Sequence, residues 1–169
     1  FQFNKINGGS FAISVAKKNS PLSSNKKKIL QLIKQEKIKK INSTQTYKNF
    51  YKIISNEKIK LINLLEKLKK NKKIVMGYGA STKGNVILQF CNINSKLIKY
   101  ICEVNKDKDN CYTPGSKIKI ITENLAKKIK PDYYFVLPWH FKKFILKKEK
   151  KLINNDTKFI FPIPKLKIY

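Results

Sequence analysis

From residue 72 to the C-terminus, short apolar runs alternate with amphipathic stretches. The runs predict strands at 73–78, 98–103, 118–121, 132–137 and 157–161, with a shorter one at 165–168, and the stretches between them predict helices over 81–91, 123–130 and 140–153. Strand and helix in turn predict an α/β fold, a small Rossmann-like parallel sheet with flanking helices. Right-handed crossovers place the ends of the first and fourth strands on one edge. The 77–84 segment is then expected to face Leu137-Pro138-Trp139-His140 across a crevice.

Upstream the pattern changes. Tyr47, Phe50, Tyr51, Ile54, Leu61, Ile62, Leu65 and Leu68 recur at steps of three and four, which predicts a helix over about 46–70 whose stripe packs on the domain that follows. A looser stripe over 20–42 predicts another helix, and a basic helix lying on a membrane surface is the rival reading of these two. Phe11, Ile13 and Val15 alternate with small residues after Asn7-Gly8-Gly9-Ser10, the two-residue period of a half-buried strand preceded by a tight turn. The expected organisation is therefore an N-terminal strand (1–18), a helical connector (19–71) and a Rossmann-like domain (72–169). One strand cannot stand alone in water, so 1–18 is expected to dock on a neighbour supplied by upstream sequence.

Composition modifies this picture in three places. The 169 residues carry a net charge of +28, which ordinarily points to nucleic acid or an anionic surface. Every basic side chain is Lys, however, and Arg is the residue that grips phosphate bidentately. The lysines accompany abundant Ile and Asn, as in AT-rich coding sequence, so no specific nucleic-acid partner is expected, although the positive field favours anionic ligands. Cys91, Cys102 and Cys111 form no C-x-x-C pair and His140 is the single histidine, so no metal site is expected here and reduced thiols fit a cytoplasmic setting. No run reaches the length of a membrane span. Phe1-Gln2-Phe3-Asn4 lacks an initiator Met and the layout of a signal peptide, as in a piece of a longer chain.

The candidate chemistry centres on Gly77-Tyr78-Gly79-Ala80-Ser81-Thr82-Lys83-Gly84-Asn85. Glycines after an apolar run allow a tight turn, and Ser81 or Thr82 can cap the next helix, whose N-terminus attracts an anion. The G-x-G-x-x-G template fails at Thr82, and the P-loop template fails at Asn85. A phosphate cradle and a structural strand-to-helix turn both remain open. Glu103 ends the second strand, where a carboxylate can accept a ribose hydroxyl or simply be solvated. Tyr112-Thr113-Pro114-Gly115 is a turn that either grips substrate or only reverses the chain. His140, after Trp139, can act as a clamp or as a general acid/base, or can cap the following helix.

Five segments taken in order, GYGASTKGNVILQFC (77–91), YICEVNKDK (100–108), YTPGSKIKI (112–120), PDYYFVLPWHF (131–141) and KFIFPIPKLKI (158–168), resemble the C-terminal domain of S-adenosylmethionine-dependent sugar C-methyltransferases. INGGSFAISVAKK (6–18) resembles the last strand of that family's central methyltransferase domain. The resemblance implies C-methylation of a nucleotide-linked deoxysugar through an enolate. It also implies S-adenosylmethionine bound by an upstream central domain, in cis or in trans, and zinc in a further N-terminal domain. Gly77, Tyr78, Gly79, Ser81, Thr82, Lys83 and Asn85 would hold the diphosphate side of the substrate, Trp139 and His140 would complete the crevice, and Ser10 with Asn7 would approach the sugar. The family carries an active-site His directly before Gly-Gly-Ser. This sequence has Asn7 there, and an amide cannot act as a base near neutral pH. Two further readings are a nicotinamide-binding oxidoreductase module, weakened by Thr82, and a nonenzymatic basic protein that binds nucleic acid or an anionic surface.

Overall fold

Residues 1–18 form less strand than their alternation predicts. In the computed structural model, which describes residues 1–169 apart from the side chain of Asn7, β1 (Gln2–Asn4) pairs antiparallel with β2 (Ser10–Ala12) around a 3-10 turn at Ile6–Gly8. Residues 13–18 contain no strand. Phe11, expected to be half-buried, is 63% exposed. A two-stranded ribbon gives its apolar side chains no second layer, and strand pairing stops where its partner ends. The chain divides into two units, Phe1–Ile54 and Ser55–Tyr169. The first also contains α1 (Lys26–Ile38), capped by the Asn25 side chain, which accepts the Lys28 N–H at 3.0 Å and buries no residue of the helix.

Helix α2 (Thr44–Lys70) begins in the first unit and continues into the second. Only part of its apolar stripe packs as expected. Leu61, Leu65 and Leu68 are buried, whereas Tyr47, Phe50 and Tyr51 stay exposed.

The second unit carries the alternating pattern. Its elements are β3 (Val75–Tyr78), α3 (Thr82–Phe90), β4 (Tyr100–Glu103), β5 (Lys119–Thr122), α4 (Glu123–Ile129), β6 (Tyr133–Val136), α5 (Lys142–Lys148), α6 (Lys150–Asn154), β7 (Lys158–Phe161) and β8 (Lys167–Ile168). The six-stranded sheet has the order β5-β4-β3-β6-β7-β8, parallel except for β8. The direction of winding reverses between β3 and β6, the place in such sheets where ligands bind outside the carboxyl ends of the strands. The single helix predicted over 140–153 is instead a 3-10 turn at Trp139–Phe141 followed by α5 and α6, broken at Glu149, whose φ and ψ leave the helical range.

Strand alternation sends side chains to two cores. On one face Val75, Ile101, Ile120, Phe135 and Ile160 meet Leu61, Leu65, Leu68 and Leu88 from α2 and α3. On the other, Met76, Cys102, Ile121, Tyr134, Val136 and Phe159 meet Ala126 and Ile145 from α4 and α5. Each fully buried large side chain contributes ~1.5–3 kcal/mol.

Two glycines let these layers close. A Cβ on Gly77 would stand 2.5 Å from Ile101 Cγ1, so this glycine admits the neighbouring strand's side chain and lies inside β3, not in the turn. A Cβ on Gly84 would stand 2.3 Å from Leu137 Cβ and 2.9 Å from its Cα. Gly84 thus performs the helix-to-strand packing that the dinucleotide template assigns to its third glycine, two residues beyond the position where Thr82 breaks that template.

Gly84→Ala should destabilise the second unit by ~1–3 kcal/mol, because Leu137 offers backbone as well as side chain to the new methyl. Denaturant melts check this. An unchanged midpoint would show that α3 can lift off the sheet at no cost.

Candidate functional site

The turn between β3 and α3 is built around Gly79, whose φ of +76° suits glycine and whose Cα faces Pro138, with 2.9 Å from a built Cβ to Pro138 Cγ. The two segments expected to face each other across a crevice are therefore packed together, because β3 and β6 are neighbours in the sheet. Ser81 caps α3, its Oγ accepting the Gly84 N–H at 3.0 Å.

The amides of this turn already have partners. Gly79 N–H donates to the Cys102 carbonyl (2.8 Å), Ala80 N–H to Glu103 Oε2 (2.7 Å) and Ser81 N–H to the Gly79 carbonyl (2.9 Å). Glu103 Oε1 also accepts from Val104 N–H (2.8 Å) and Asn105 N–H (3.0 Å), and Lys108 Nζ lies 3.8 Å from Oε2 while donating to the Ala80 carbonyl at 3.0 Å. A carboxylate of the protein thus occupies the place where the sequence put a phosphate. The expected cradle at Gly79 is corrected accordingly: Glu103 takes the Ala80 amide and backbone carbonyls take the Gly79 and Ser81 amides, so the donors that a diphosphate would need are satisfied. Thr82 N–H, at the head of α3, has no partner among the described residues.

Among the described residues, two cavities flank the turn. One, of about 280 Å³, is lined by Tyr78, Glu103, Glu123, Phe144 and Lys148 among others. Its charges are internally matched: Lys148 Nζ stands 3.1 Å from Glu123 Oε1 and 3.4 Å from Glu149 Oε1, and Tyr78 OH donates to Glu149 Oε1 at 2.7 Å. Burial, then the Glu149 carboxylate, raises the Tyr78 phenol well above its usual value, and burial pushes the Cys102 thiol up to about 12. Neither group ionises near pH 7, so this face holds no ready nucleophile. The other cavity, of about 310 Å³, opens between α3 and the 111–114 segment, with Ser81, Thr82, Asn85, Lys108 and Thr113 in its wall and no carboxylate. An anionic ligand meets less repulsion on this second side.

The remaining candidates separate. Asn85 lines the second cavity, and its Oδ1 is buried without a partner. Lys83 stands close enough to His140 to act on its charge. Burial first and the Lys83 ammonium second hold His140 below the ordinary imidazole value, so it is neutral at pH 7. Trp139 packs against the second core, and its Nε1 and His140 Nδ1 are buried and unpartnered. Neither ring lines either cavity beside the turn. In the first unit, Ser10 Oγ donates to Asn4 Oδ1 at 2.6 Å. Asn7 sits in the 3-10 turn, and its side chain lies outside the described residues. Thr113, read in the sequence only as part of a turn, has a buried hydroxyl that pairs with Ser116 Oγ (2.7 Å) and accepts the Ile118 N–H (2.9 Å), fixing the second cavity's far wall. Among the described residues, no group of three or more metal-ligating side chains is assembled.

Glu103→Ala should cost ~2–4 kcal/mol, since three N–H groups lose a charged acceptor. Glu103→Gln should recover part of this in thermal melts. Equal stability of all three proteins would mean that the carboxylate does not hold the turn.

Comparison with known proteins then adds two findings. The family described as the C-methyltransferase C-terminal domain matches residues 5–164. The C-methyltransferase NovU of Streptomyces niveus is 35% identical over 96 residues, 57% of this chain and 23% of that protein. The chain therefore aligns with less than a quarter of this curated relative.

Proposed function

The chain belongs to the C-methyltransferase C-terminal domain family, and from that premise we propose that it is the nucleotide-sugar-binding part of a methyltransferase acting on a nucleotide-linked deoxysugar. The observation that carries the proposal is the carboxylate-free cavity beside α3, next to the point where the sheet's winding reverses. Thr82 N–H and Lys83 supply the attraction for the diphosphate, in place of the turn amides, of which Ala80 is taken by Glu103 and Gly79 and Ser81 by carbonyls. The net charge of +28 favours the approach of such an anion.

The proposed reaction is C-methylation: a proton leaves the carbon beside a sugar ketone, and the resulting enolate carbon takes the methyl group. The methyl donor implied by the family is S-adenosylmethionine. Glu103, expected to bind substrate, does not fit a carboxylate that accepts from a ribose hydroxyl of the substrate nucleotide, since three N–H groups already engage both oxygens. We place the donor, and a zinc-bearing domain, in an upstream part acting in cis or in trans. Asn7 has an amide that can donate to an enolate oxygen, and His140, neutral at pH 7, is the candidate acid/base. Among the described residues, no helix is long and apolar enough to cross a membrane. Three unpaired thiols support a reducing, cytoplasmic setting.

Calorimetric titration with deoxythymidine- and guanosine-linked sugars should detect binding, and Lys83→Ala should weaken it by roughly tenfold, the scale of one charge-assisted contact. Absence of binding across the panel would contradict the proposal.

A further inference from the structure

Helix α1 (Lys26–Ile38) has two sides of different character. At about 100° per residue, Lys28, Ile29 and Leu32 fall on one side. That side meets its own unit: Ile29 and Leu32 are partly buried, and Lys28 Nζ donates to the Phe1 carbonyl at 2.7 Å. The opposite arc, about 140° wide, carries Leu30, Ile33 and Ile38 interleaved with Lys26, Lys27, Lys34 and Lys37. It is turned outward. Leu30 is 65% exposed and Ile38 70%, and Glu36, the single acidic residue between Phe1 and Ile54, lies off this arc.

The charges of α1 are also set against its own dipole. Lys26, Lys27 and Lys28 fill the first turn, and no acidic residue accompanies them there. A helix N-terminus carries partial positive charge, so cations in that turn disfavour the helix. An anionic surface beside the outward arc removes this penalty.

Single apolar side chains at a surface are ordinary, but three on one lysine-lined arc fit a partner that is apolar and anionic together. A second copy of the chain brings the same net charge of +28 and is repelled. The core of a protein interface is poor in lysine, whereas lysine alternates with the apolar positions here. Nucleic acid supplies the anion, but the arc holds no Arg and no aromatic ring with which to read or stack bases. A bilayer surface supplies both parts. Its headgroups meet the ammonium groups, and its acyl chains meet Leu30, Ile33 and Ile38, with the lysine stems reaching between them.

We propose that α1 attaches the protein peripherally to an anionic phospholipid surface, lying in the headgroup plane with Leu30, Ile33 and Ile38 turned into it. The attachment crosses no bilayer and uses neither cavity of the second unit.

Sedimentation of the whole chain with large vesicles tests this, comparing phosphatidylcholine alone with an equal mixture of phosphatidylcholine and phosphatidylglycerol. The protein should partition at least tenfold more strongly onto the mixture. Lys26→Gln with Lys27→Gln should weaken that partition roughly twenty-five-fold, at about fivefold for each lysine near a charged surface. Leu30→Gln with Ile33→Gln should weaken it roughly tenfold or more. Lys150→Gln with Lys151→Gln, an equal change of charge on α6, should alter it less than about threefold. Glutamine is a good helix former, and an unchanged circular dichroism spectrum confirms that α1 persists in each variant. No preference for the anionic vesicles overturns the proposal. So does an equal loss for the α1 and α6 lysine pairs, or full partition of Leu30→Gln with Ile33→Gln, because adsorption would then follow net charge alone. Capture by soluble poly-glutamate without partition onto vesicles also overturns it and assigns an acidic protein in place of lipid.

Discussion

A single carboxylate organises the carboxyl edge of this sheet. Glu103, at the end of β4, receives the Ala80 amide from the glycine turn and the Val104 and Asn105 amides from its own loop, with Lys108 beside it. Helix N-termini and glycine turns collect partial positive charge, and that charge has to be answered. Here the protein answers it internally. The turn is consequently rigid and electrically quiet before any ligand arrives.

What remains for a ligand follows from that arrangement. The face toward α5 is occupied by a matched set of charges joining Tyr78, Glu123, Lys148 and Glu149, a network that ties α4 and the end of α5 to the sheet. The face toward α3 has no carboxylate among its lining residues, which include Thr82 and Asn85. Gly84 holds α3 against Leu137 and so fixes the position of Asn85, one residue later, in the cavity wall. Packing and the proposed binding thus depend on the same short helix turn.

Much of this was legible in the sequence, for identifiable reasons. Strands β3 to β7 are short apolar runs bounded by polar residues, and the runs survive as strands because alternate side chains fill two separate cores. Gly79 could be read as a turn glycine from its place after such a run. The partnership of Glu103 could not, because hydrogen bonding to an amide 23 residues earlier depends on strand order rather than on local pattern. Gly84 escaped the template because the helix starts in a slightly different register. The division of Asn85 from His140 also exceeds what linear order shows: both follow strands that end at one edge, yet Asn85 lines the cavity beside α3 and His140 lines neither of the two described cavities. Residues 13–18 read as strand by alternation, but alternation needs a second layer to act on, and the first unit gives Phe11 none.

The account's central claim is that ligand binds beside α3 and leaves the Glu103-filled turn undisturbed. Backbone and side-chain amide NMR shifts during titration with a nucleotide sugar test it most directly. The expected result is that the largest shifts fall on Thr82, the Asn85 side chain and Thr113, with Gly79 and Ala80 nearly still. Dominant shifts at Gly79 and Ala80, with Asn85 unmoved, would contradict it.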